Sequence, residues 1–140
     1  MTDRREELNN TELCLSCSDG GKKNLKILDA LGKGGSCIAY RAIVAEPGFL
    51  RKLVIKEFFP KSLFEIGKLV RRENGSLERT DPSTDNFDIL KENFVRGAAE
   101  SARFYEEDPD KALSPYVFIG EGNGTVYIAV DMGDGCGHCG

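Results

Sequence analysis

Leu31-Gly32-Lys33-Gly34-Gly35-Ser36-Cys37-Ile38-Ala39-Tyr40 sets three glycines between two apolar stretches, and Leu53-Val54-Ile55-Lys56 follows downstream. Without a Cβ, glycine lets backbone amides approach an anion closely. Apolar and β-branched residues on both sides predict a strand over 24–31, a tight turn, and a second strand over 37–44. Dinucleotide and P-loop glycine motifs open into a helix instead, and no G-x-x-x-x-G-K-[ST] occurs anywhere in the chain. A third strand is predicted over 52–58. Its alternation puts Val54, Lys56 and Phe58 on one face and Leu53, Ile55 and Glu57 on the other. A lysine among apolar neighbours on its own face wants an anion. The bland alternative is a lysine snorkelling from a sheet edge. The glycine turn upstream favours a phosphate partner.

The bulk numbers allow one modest domain. At 140 residues, with 40% hydrophobic and 30% charged residues, the composition is that of an ordinary soluble globular chain. A net charge of −4 offers no basic surface for nucleic acid or an anionic membrane. No apolar run approaches membrane-spanning length, and Met1-Thr2-Asp3-Arg4-Arg5-Glu6-Glu7 is not a signal peptide. Cytoplasm is the expected compartment. Five cysteines suit a reducing environment better than a secreted disulfide framework.

Further along, Glu46-Pro47-Gly48 turns the chain. Residues 61–85 show little periodicity beyond a short extended piece at Leu69-Val70-Arg71-Arg72. Asp81-Pro82-Ser83-Thr84-Asp85 is a helix-start signal with Thr84 or Asp85 as N-cap. The helix it opens, over about 86–107, carries Phe87, Leu90, Phe94, Ala98 and Tyr105 as one apolar stripe. Residues 116–120 and 125–132 then form a hairpin across Glu121-Gly122-Asn123-Gly124, where Asn-Gly is the turn signal.

In order and spacing these pieces resemble the small N-terminal lobe of a bacterial serine/threonine protein kinase, over roughly residues 24–135. Leu31 to Ala39 matches the glycine-rich loop, Leu53 to Pro60 the third strand, and Tyr127 to Gly135 the fifth strand running into the hinge. The resemblance implies an α+β fold: a five-stranded antiparallel twisted sheet with one packed helix. It implies ATP as ligand. Amides of Lys33, Gly34, Gly35, Ser36 and Cys37, with Gly32 at the loop entry, would cover the triphosphate. Lys56 would pair with the α- and β-phosphates. Leu31, Ala39 and Val54 would roof the adenine, Val130 would be the gatekeeper, and Asp131 and Met132 would offer hinge backbone groups. Alignment through Phe94-Val95-Arg96 puts Gly97 where the lysine-pairing glutamate belongs, which leaves Glu100 as the substitute catalytic carboxylate. No H-R-D, D-F-G or A-P-E occurs, and His138 is the only histidine. Magnesium and a general base would therefore have to come with a large lobe supplied elsewhere. The chain as given is expected not to transfer phosphate.

Cysteines flank this lobe. Residues 1–23 hold Cys14-Leu15-Ser16-Cys17 before a glycine turn, and residues 136–140 read Cys136-Gly137-His138-Cys139-Gly140. Each pair has the spacing of half a zinc knuckle. A single zinc site from Cys14, Cys17, Cys136 and Cys139 requires the two ends to meet, although they are separated far beyond the usual ligand spacing; otherwise they are two independent tails. Three functions follow in order of preference: the ATP-binding lobe of a kinase, a non-catalytic module that binds a kinase large lobe or another protein through its exposed underside, and a zinc-clasped small β domain.

Overall fold

The computed structural model describes residues 7–8, 10–17, 20–107 and 116–131. Its elements run β1 (Thr11–Cys17), β2 (Lys22–Lys33), β3 (Cys37–Glu46), β4 (Phe49–Phe58), α1 (Lys61–Glu65), β5 (Leu69–Arg71), β6 (Leu77–Arg79), α2 (Phe87–Glu107), β7 (Tyr116–Gly122) and β8 (Thr125–Asp131). Six of the strands close into an antiparallel barrel in the order β1-β2-β3-β4-β8-β7, and β5 and β6 form a separate two-stranded ribbon. The expected five-stranded open sheet with one helix is therefore wrong: the described residues form a closed six-stranded barrel and two helices.

The sixth strand is the source of the error. Thr11 to Cys17 reads as half a metal knuckle when only its cysteines are considered. Its alternation says strand: Leu13, Leu15 and Cys17 are buried, whereas Glu12, Cys14 and Ser16 face out. β1 pairs along β2 from Thr11↔Ile27 to Ser16↔Lys22, and its end pairs with β7 at Cys17↔Gly120. Two sheet edges that would otherwise expose unpaired amides and carbonyls are thereby joined. The close approach of β7 requires glycine, since a Cβ on Gly120 would sit 2.8 Å from the Leu15 side chain. A barrel this narrow has room only for side chains. Leu15, Ile27, Tyr40, Leu53, Ile55 and Tyr127 fill it, all fully buried.

The other elements follow their local signals. Asn123 and Gly124 both take positive φ, 58° and 84°, as the tight β7–β8 turn demands. That turn docks on β6 through the Leu77 amide, which donates to the Asn123 carbonyl at 2.9 Å. A side chain at Gly124 would collide with the Leu77 carbonyl. At the start of α2, Asp85 Oδ1 accepts the Phe87 amide at 3.0 Å and is the cap. Phe87 and Phe94 from α2 each bring a ring to within 5.2 Å of Phe58, which fastens the helix to the outer face of β4. No helix among the described residues is long and apolar enough to cross a membrane.

Candidate functional site

β4 separates two chemistries. Register decides which residues share each face. Along the outer face, Gly32 lies opposite Ala39, Ala39 opposite Lys56, and Lys56 opposite Ile128, so one row crosses β2, β3, β4 and β8. The next row holds Asp29, Arg41, Val54 and Val130 in the same order. Directly opposed residues on antiparallel strands point to the same side. Ala39, Val54, Lys56 and Val130, proposed from the sequence for one site, are thus gathered on one face. Lys56 is half-buried there, and among the described residues no carboxylate pairs with it.

The glycine turn lies at the end of this face. Leu31 is the extra residue of a bulge between Ala30 and Gly32 and is 52% exposed. Gly34 donates to the Cys37 carbonyl at 2.9 Å, which tightens the turn and uses one of the amides expected to cover phosphate. The Ser36 carbonyl accepts the Phe59 amide at 2.8 Å, and the Gly35 carbonyl accepts the Lys61 amide at 3.0 Å. These bonds pin the loop to the β4–α1 corner by its oxygens. None of Gly32, Gly34 or Gly35 has positive φ, and a Cβ at Gly32 or Gly35 would meet nothing within 4 Å. What the glycines provide is therefore bare, accessible backbone. Lys33 turns aside to Glu7 at 2.8 Å. Burial pushes the Cys37 thiol up in pKa, and the nearby Lys56 ammonium pulls it the other way. A cleft of about 340 Å³ opens between this turn and α2, bordered by Gly35, Ser36, Phe58, Pro60, Asn93 and Phe94. A larger groove of about 650 Å³ lies further along the outer face, around Cys14, Lys26, Ile43 and Leu50, away from Lys56.

Asp131 ends β8. Gly97 and Glu100 both fall within α2, and a Cβ at Gly97 would meet only open space. Met132, Cys136, His138 and Cys139 lie outside the described residues. Cys14 is exposed and Cys17 buried, on opposite faces of β1, so the strand does not present them as a pair. No cluster of three or more metal-binding side chains exists among the described residues.

Sequence reasoning missed the polar centre of the barrel. Glu57, one residue after Lys56, points inward and is fully buried with Arg71 of β5. Arg71 donates twice, Nη1 to Oε2 and Nη2 to Oε1, both at 2.7 Å. Tyr127 donates to Oε2 at 2.7 Å and Tyr40 to Oε1 at 3.1 Å. The Tyr40 hydroxyl also accepts the Leu8 amide at 3.1 Å. Asn123 Nδ2 bonds the Tyr127 hydroxyl and the Gly75 carbonyl, each at 2.8 Å, and Arg71 Nη1 reaches the same carbonyl at 3.0 Å. Burial works against the Arg71 charge, but the Glu57 hydrogen bonds and charge outweigh it and hold its pKa above the usual value. Burial, then the Glu57 charge, raises both tyrosines. The one available signal was Glu57 itself, a carboxylate on the apolar face of Leu53 and Ile55.

A barrel-like β domain with a half-buried lysine and a glycine turn on one outer face is the class these features define. Neither a family model nor a curated protein sequence matches the chain. Among solved structures, the apo form of PpkA-294, a bacterial serine/threonine kinase fragment, superposes with a TM-score of 0.60 at 27% sequence identity. The match covers 77% of this chain and 35% of that one, so this chain spans about a third of its neighbour's length. The likeness supports a kinase-like relationship, carried by structure rather than by a shared sequence family.

Proposed function

We propose that this chain is the nucleotide-binding lobe of a kinase-like phosphotransferase, with ATP held by the turn over residues 33–37 and by Lys56. The observation that supports it best is the register. The row Gly32–Ala39–Lys56 leads from the mouth of the glycine turn to a cation that no carboxylate among the described residues pairs with, beside the apolar Val54 and Val130. Binding is electrostatic at the phosphate end and apolar at the base end. Lys56 is the positioning cation, and the amides of Gly35 and Ser36 are the loop donors. The kinase-like neighbour supports the phosphotransferase part of this reading. Phosphoryl transfer requires a metal-binding acidic group and a general base, which in this reading a kinase large lobe would supply together with magnesium.

Ligand-observed NMR with ATP tests this. A Kd on the order of a millimolar is expected, and Lys56→Met should abolish the signal. ATP binding of equal strength in wild type and Lys56→Met would refute the proposal.

A further inference from the structure

The row that carries Val54 also carries a charged pair that phosphate binding does not use. Leu25 and Ile27 of β2 are buried, and strict alternation would send Asp29 into the barrel as well. A bulge between Ile27 and Asp29 inserts one residue and turns Asp29 to the outer face, opposite Arg41. There Arg41 Nε donates to Oδ1 and Nη2 to Oδ2, both at 2.8 Å. Such a fork fixes the plane of the guanidinium. The side chains stay 47% and 51% exposed, so their bond adds little to folding but leaves the guanidinium accessible to a ligand.

Position along the strand gives the pair its meaning. Arg41 lies opposite Val54, and Val54 is two residues from Lys56, roughly 7 Å along β4. A nucleotide with its phosphates at Lys56 carries its base over a comparable distance, onto the Val54 row. Guanidinium groups stack on the faces of aromatic rings, nucleobases included. We propose that Arg41, held in plane by Asp29, is a base-recognition residue whose guanidinium stacks on the purine of the bound nucleotide. This inference rests on the nucleotide reading above. It makes the roof of the site charged on the β2–β3 side and apolar on the β4–β8 side.

The test is an NMR titration of wild type, Arg41→Lys, Asp29→Asn and Lys56→Met with ATP and, separately, with inorganic tripolyphosphate. Circular dichroism establishes that each variant is folded. Arg41→Lys keeps the charge and removes the planar fork. It should weaken ATP binding several-fold, from the loss of planar stacking that a lysine ammonium cannot reproduce, and leave tripolyphosphate binding as in wild type. Asp29→Asn should act in the same direction with a smaller change. If ATP affinity is unaffected in both, or if tripolyphosphate affinity falls in step with it, the base-recognition role is refuted while nucleotide binding stands. If wild type binds neither ligand, or if Lys56→Met binds both as wild type does, the nucleotide reading fails and takes this inference with it.

Discussion

Lys56 and Glu57 are neighbours on one strand and face opposite environments. Glu57 points into the barrel, where an unpaired carboxylate would be prohibitive, and it is met by Arg71, Tyr40 and Tyr127. Lys56 points out, half-buried, and among the described residues no carboxylate answers it. The inner charge is compensated within the fold; the outer charge is the one proposed to meet a ligand. Period-two alternation alone creates this division.

The comparison breaks most visibly from the inside. Arg71→Met leaves Glu57 buried without its cation and should cost about 3–5 kcal/mol, the usual penalty for removing one partner of a buried ion pair. Urea denaturation measures it. Pairing that change with Glu57→Leu removes both charges and should recover most of the loss. If the double variant is no more stable than the single one, the network holds the barrel by shape rather than by charge compensation.

A smaller effect lies at the helix. Hydrogen bonds from Arg79 hold the Asp85 carboxyl below its usual pKa, against the opposing effect of burial and with help from the Phe87 amide. Because the folded pKa lies below the unfolded value, this stabilisation is complete above about pH 4 and is lost as pH falls through the folded pKa. Asp85→Ala should cost about 1 kcal/mol at neutral pH, the ordinary value of an N-cap. It should also flatten the acid side of the stability profile followed by circular dichroism. Gly97→Ala should raise the stability of α2 by about 0.5–1 kcal/mol, since the added methyl meets open space in a helix interior. Lys56→Met, on the outer face, should change the unfolding free energy measured in urea least, by under about 0.5 kcal/mol. A loss as large as that of Arg71→Met would erase the contrast between the two faces.

What could be read in the sequence follows the same division between local and long-range causes. The α2 helix and the β7–β8 hairpin were legible because periodicity and an Asn-Gly turn are local signals. On the outer face, alternation alone put Val54 and Lys56 on one side; Ala39 and Val130 came from the resemblance, and the pairing register sets all four on that face. β1 was hidden by its own cysteines: the Cys14–Cys17 spacing drew a metal reading, whereas the buried Leu13 and Leu15 between and before them declared a strand. The Glu57–Arg71 pair was not legible because it depends on β5 packing over the barrel, an approach with no local signature. The side taken by Asp29 was not legible for a related reason, since a bulge residue between Ile27 and Asp29 reverses the local parity of the strand.

The proposed site has the glycine turn and Lys56 binding one anion together. Amide chemical-shift mapping during ATP titration tests it most directly. Shifts concentrated at Gly35, Ser36, Cys37 and Lys56, absent in Lys56→Met and not extending to the interior residues Leu53 and Tyr127, are the predicted result. Shifts confined to the groove around Cys14 and Leu50, or unchanged by Lys56→Met, would contradict it.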